Sequence, residues 1–172
     1  RDALLGAQFE LNRKLAIFSL TFNEALDKRV ARESAPRGSG ARVTHTDWAD
    51  LSLVDNREVE NQVSAERFAL EIQHECEWEI REVDSYICAL LGLSRPQHDH
   101  NPLRPELVGM AMMNAVDAIT GDRPGSRKVL AAEIGRALAS AMRQTYLDIV
   151  HDLKTAGVAP VGLAVRSGDG PG

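Results

Sequence analysis

Apolar residues recur along most of this chain at steps of three, four or seven, which is the spacing of one face of an α-helix. Glycine and proline residues divide the pattern into four segments, and none of these segments alternates with the period of two that a half-buried β-strand needs. The sequence therefore predicts an all-α fold, an antiparallel helical bundle of three long helices and one short helix. At about 1.5 Å per residue, the helices would be roughly 48, 57, 22 and 45 Å long in chain order.

Local signals at the helix ends set the predicted boundaries. The second helix begins at Asp55, whose carboxylate can cap free backbone amides, and runs without a break. Pro105 suits the first position of the third helix, and Gly121 ends that helix. Either Asp122 or Ser126 caps the fourth. The predicted helices cover about residues 2–33, 55–92 and 105–119, with the fourth ending near residue 155.

The length of 172 residues indicates one domain, with a hydrophobic core that needs no disulfide or metal. We expect residues 1–172 to form a single helical domain, with a loop at residues 35–54 and a C-terminal tail at residues 158–172. Because the chain starts at Arg1 and not at Met, we interpret it as a segment of a larger protein.

A cytoplasmic location is predicted from two features of the sequence. The two cysteines, Cys76 and Cys88, fall inside the amphipathic pattern and not in a disulfide framework. No apolar run reaches the roughly 18 residues of a membrane span, and the N-terminus lacks the profile of a signal peptide.

The short third helix would leave part of the bundle open to water. Contiguous apolar patches of more than a few hundred Å² are rarely left exposed on a monomer, so we expect another surface to cover them. The candidate interface residues are Leu4, Leu11, Leu15 and Phe18 on the first helix and Ile80, Val83, Ile87 and Leu90 on the second. A homodimer, another protein or the remaining domains of the parent protein could provide the cover. The alternative is that the tail at residues 158–165 folds back.

The sequence contains few residues arranged for chemistry. Two acid-x-x-His pairs, Glu71 with His74 and Asp148 with His151, have the spacing of carboxylate-bridged metal sites, but both pairs lie beside the apolar seam. His98 and His100 could contribute to a zinc or nickel site, yet no other cysteine or histidine cluster completes one. No nucleophile or nucleotide-binding motif is present. We therefore predict no catalytic residue, no metal and no cofactor.

Charge is unevenly distributed in this chain of net charge −5. Residues 55–92 contain ten acidic residues and three arginines, and Glu71, Glu75, Glu79 and Glu82 form a stripe that is either solvated or faces a basic partner. The opposite charge collects in an arginine-rich stretch at residues 28–42, which could bind a phosphate group or nucleotide through Lys28, Arg29, Arg32, Arg37 and Arg42. Specific binding of nucleic acid is not expected from an acidic chain with so few aromatic residues.

Three separated blocks of sequence resemble a known family. They cover Trp48 to Glu60, Asn101 to Val108, and Tyr146 to Gly162. In this order they resemble the proteobacterial family called domain of unknown function 1631, over about residues 46–166. Members are longer than this chain and are sometimes labelled thymidine-phosphorylase-like. The resemblance implies a bacterial origin and a larger parent protein, and it assigns no catalytic residues.

Two functions follow as hypotheses. The first is a non-catalytic interaction or regulatory module that acts through helix–helix association. The alternative is a ligand-binding helical domain that recognises a phosphorylated small molecule or nucleotide through residues 28–42.

Overall fold

A computed structural model describes residues 2–35, 56–121 and 123–162, with side-chain positions from Phe9 onward apart from residues 10 and 11. Within these ranges the chain is helical and contains no β-strand, which confirms the predicted all-α class. The helices pack against each other. They are α1 (Asp2–Ser34), α2 (Asn56–Glu75), α3 (Glu77–Leu90), a short 3-10 helix (His98–His100), α4 (Pro105–Thr120) and α5 (Pro124–Thr155).

The prediction of one unbroken second helix is wrong, because the chain bends at Cys76. Its backbone angles, φ −122° and ψ 26°, lie outside the helical region, so α2 ends before it and α3 begins after it. Backbone hydrogen bonds still cross the bend, from the Cys76 N–H to the Ile72 carbonyl at 2.8 Å and from the Ile80 N–H to the Cys76 carbonyl at 2.9 Å. Within the described ranges, the four predicted helices therefore become five.

The predicted ends of the later helices are largely confirmed. Pro105 occupies the first turn of α4, and Gly121 follows that helix with a φ of 56°. The two predicted caps of α5 are not confirmed. Ser126 lies inside the helix, and Asp122 is outside the described residues. The loop predicted at residues 35–54 also lies outside them, except for its first residue.

The core forms where α4 packs against α1, α2 and α5, and where α5 also packs against α2 and α3. Helices α2 and α4 approach each other closely at Gly109, where a Cβ atom would lie only 2.8 Å from the backbone oxygen of Ala65. The largest fully buried side chain is Tyr146 of α5, whose hydroxyl donates to the Leu103 carbonyl at 3.1 Å.

The first residues of the predicted C-terminal tail pack against the core. Val158 is half-buried there, and the Val161 N–H donates to the Ser85 carbonyl of α3 at 3.1 Å. The end of the tail, from residue 163, lies outside the described residues. None of the helices described above combines the length and apolar character needed to cross a membrane.

Candidate functional site

The N-terminal half of α1 presents apolar side chains to solvent. Phe9 is 68% exposed, Leu15 56% and Leu20 70%. Leu15 continues the line of Phe18, which is partly buried against the core. Phe9 and Leu20 are eleven residues apart, or about three turns, and so lie together on the opposite side of the helix. This half of α1 is therefore apolar on two sides, which is typical of a helix with neighbours.

The difference in helix length explains this exposure. Near the end of α1, the Glu33 carboxylate lies 3.4 Å from the guanidinium of Arg104, which directly precedes α4. The 16 residues of α4 extend about 24 Å, whereas the 33 residues of α1 extend about 50 Å. Helix α4 can therefore cover only about half of α1. Two of the predicted interface residues, Leu4 and Leu11, have side chains outside the described part of the chain.

The interface residues predicted on the second helix lie in α3, and most of them are inside the core. Ile80, Val83 and Ile87 are buried by the chain itself, since α5 packs against α3. Leu90 is 56% exposed at the end of α3. In this conformation only Leu90 of the four is accessible to a partner.

The structure describes only part of the arginine-rich stretch, and the residues that it describes differ in exposure. Lys28 is exposed and pairs with Glu24, four residues earlier, at 3.2 Å. Arg29 is half-buried, and burial together with the neighbouring Arg32 lowers its pKa. Arg37 and Arg42 lie outside the described residues. In the described part of the stretch, Arg32 on the exposed surface of α1 is the only residue available to bind an anion.

The two acid-x-x-His pairs point to solvent. Glu71, His74, Asp148 and His151 are all exposed. Over the described ranges, no group of three or more histidine, cysteine, aspartate or glutamate side chains is placed to hold a metal ion.

The acidic stripe faces α5 over part of its length. Glu79 is buried and accepts a hydrogen bond from Arg143 of α5 at 2.7 Å. Glu82 pairs with Lys154, also on α5, at 2.8 Å. The basic partner of these two glutamates is therefore within the chain.

His98 forms the centre of a polar cluster that links three parts of the fold. Its Nδ1 atom lies 3.0 Å from the Asp84 carboxylate of α3, and its Nε2 atom lies 3.4 Å from Glu106 of α4. Asp84 also accepts a hydrogen bond of 2.6 Å from the fully buried Asn101. Hydrogen bonds to the two carboxylates raise the pKa of His98 to about 10. We call these four residues the His98 cluster.

The sequence pattern suggested a different role for His98, as a metal ligand. The structure instead places His98 between two carboxylates, where it joins the α3–α4 connection to both helices. Nothing in the local spacing indicated Asp84, which is 14 residues earlier in the chain. Its position within the acidic second helix gave no sign that it is buried.

The His98 cluster predicts a loss of stability at alkaline pH. The pKa of His98 is raised from 6.5 to about 10 on folding, so its contribution is complete below pH 6.5 and is lost as the pH approaches 10. Burial of the Cys76 thiol also raises its pKa and adds to the alkaline loss. Urea unfolding at several pH values should therefore show a flatter alkaline decline for His98→Gln than for the unchanged protein. Identical slopes would contradict the prediction.

A second polar cluster joins α2, α4 and α5 around the buried Arg127. Its guanidinium lies 2.8 Å from Asp117 of α4 and 2.9 Å from Glu60 of α2. It also donates hydrogen bonds to the Asn61 side chain and the Arg57 carbonyl. The charge of Arg127 is thus balanced within the fold.

Comparison with known proteins identifies one family. The family model described as the N-terminal domain of DUF1631, a protein of unknown function, matches residues 1–157. The match begins earlier than the resemblance seen in the sequence blocks and includes all of α1. No curated protein and no solved structure matches the chain.

Proposed function

Since the chain belongs to the DUF1631 N-terminal domain family, we propose that it is a non-catalytic interaction module of a larger bacterial cytoplasmic protein. It acts through helix–helix association at a side of the helical bundle that the chain leaves uncovered. The observation that supports this function is the pair of exposed apolar side chains on one side of the N-terminal half of α1, Phe9 and Leu20. We call these two residues the α1 surface.

A second copy of the chain is the partner that we propose for the α1 surface. A two-fold symmetric dimer uses one patch twice, so an apolar helix face can cover its own copy. Residues 2–20 contain two acidic and two basic residues, so two such helices would not repel each other through net charge. The uncovered half of α1, about 25 Å long, is sufficient for roughly four turns of contact.

Leu20→Glu should weaken this dimer. The substitution places a charge on a 70% exposed side chain that would become buried between the two copies. We expect the dissociation constant to rise at least about tenfold, equivalent to about 1.4 kcal/mol. Light scattering over a dilution series measures the change.

Ser140→Glu is the matched control, because it adds the same charge at an exposed position of α5. It should leave the dissociation constant unchanged. If the unchanged protein remains monomeric at high concentration and binds no hydrophobic dye, the proposed association through α1 is wrong.

A further inference from the structure

A second surface suited to a partner lies between α2 and α5. It is a groove of about 600 Å³, with Phe68, Met112 and Met113 among the side chains that line it. All the residues that line it belong to α2, α4 and α5, so the groove shares no residue with the α1 surface. Binding in the groove is therefore a function beyond dimerisation through α1.

The groove has the shape of a helix-binding site. Its α2 wall extends from Val59 to Glu71 and its α5 wall from Pro124 to Arg136, so each wall is about 18 Å long. The α5 wall projects little into the groove because several of its side chains are small, at Ala131, Ala132 and Gly135. An elongated space of about three turns between two helices matches the cylinder of a third helix better than a compact small molecule.

The charge of the groove contrasts with that of the whole chain. Four basic and two acidic side chains line it, although the protein has a net charge of −5. Arg127 and Arg136 are neutralised, the second by Glu133 at 3.0 Å. Arg67 on α2 and Lys128 on α5 are different, because neither has an ion-pair partner among residues 2–35, 56–121 and 123–162. They stand on opposite walls of the groove.

We propose that this groove binds an acidic amphipathic helix of a partner protein. Apolar residues at i, i+3, i+4 and i+7 of that helix would pack against Val59 and Val63, the exposed apolar side chains of the α2 wall, and against the exposed Ala132 of the α5 wall. Its acidic flanks would meet Arg67 on one wall and Lys128 on the other. This arrangement covers the exposed valines of the α2 wall and provides carboxylates for the two basic side chains that lack them.

Two synthetic peptides test the proposal. Both have about 14 residues with leucines at i, i+3, i+4 and i+7, and their remaining positions are filled with alanine and glutamate or with alanine and lysine. Fluorescence anisotropy with the full chain at low salt measures their binding. We expect the glutamate peptide to bind at least about tenfold more tightly than the lysine peptide. Equal binding of the two would overturn the charge argument.

Variants of the chain locate the binding site. Lys128→Glu should weaken binding of the glutamate peptide about tenfold and strengthen binding of the lysine peptide, because it reverses a charge on the groove. Lys28→Glu makes the same reversal on the exposed surface of α1 and should change neither. Ala132→Trp, at an exposed position, fills the groove and should abolish binding while circular dichroism stays unchanged. Unchanged binding by Ala132→Trp would show that the peptide binds elsewhere.

The same variants separate this inference from dimerisation. Leu20→Glu should bind the glutamate peptide as the unchanged protein does, because Leu20 is not part of the groove. If Ala132→Trp instead converts a dimer into a monomer, the groove holds a second copy of this chain, and the proposal of an acidic partner helix is wrong.

Discussion

Gly109→Val is expected to lower the free energy of unfolding by about 3 kcal/mol or more, since the space at this position is closed by backbone. A Cβ atom at Gly109 would lie 2.8 Å from the Ala65 carbonyl oxygen and 3.2 Å from both the Ala65 Cα atom and the Phe68 ring. A carbonyl oxygen within a helix cannot rotate away. Helices α2 and α4 would have to separate, which would loosen the core on both sides of their contact.

Gly125→Ala is the matched control for this substitution. Gly125 lies in the first turn of α5 and has nothing within 4 Å of an added Cβ atom. Its replacement should leave stability unchanged or raise it by up to about 1 kcal/mol, because alanine favours helix more than glycine does. Urea unfolding followed by circular dichroism compares the two variants. A Gly109→Val protein as stable as the unchanged chain would show that α2 and α4 are not packed this closely.

The helix boundaries that depend on local chemistry could be predicted from the sequence. Pro105 and Gly121 restrict the backbone at their own positions, so their effect does not depend on the rest of the fold. The bend at Cys76 is different. Neither proline nor glycine occupies that position, and the apolar spacing continues through it from Ile72 to Ile80. A sequence pattern of this kind contains no signal for such a bend.

The buried face of α5 is centred about one position away from its line of large apolar residues. That line, which includes Ile134, Leu138 and Ile149, is only partly buried, at the edge of the core. The centre of the buried face is occupied by Gly135, Ala139, Met142, Tyr146 and Val150. Helix α5 packs against α2, α3 and α4 together, so its buried face is wider than one apolar line.

The candidate surfaces could be predicted from the sequence only where they depend on the lengths of the helices. The excess of α1 over α4 follows from helix boundaries alone, and the structure shows Leu15 exposed. The groove depends on how α2 and α5 lie beside each other, and the His98 cluster joins residues up to 22 positions apart in sequence. Such long-range arrangements leave no spacing pattern in the chain.

Asp84→Ala should have the second large effect, a loss of about 3–5 kcal/mol in the free energy of unfolding. Asp84 is buried and accepts hydrogen bonds from His98 and from Asn101, which is itself fully buried. Its removal leaves the Asn101 amide without its acceptor and the His98 cation with Glu106 alone. Urea unfolding near pH 6.5, where His98 is charged in the folded protein, measures the full effect.

The pH dependence of the loss distinguishes a missing ion pair from a simple cavity. Without Asp84 the pKa of His98 in the folded state should fall, so the difference in stability between Asp84→Ala and the unchanged protein should shrink as the pH rises from 6.5 toward 10. A cavity alone would give the same difference at every pH. Asp152→Ala is the control, because it removes an exposed carboxylate from α5, and surface substitutions of this kind usually change stability by less than about 0.5 kcal/mol. A constant difference for Asp84→Ala would mean that the contact between His98 and Asp84 adds no charge-dependent stability.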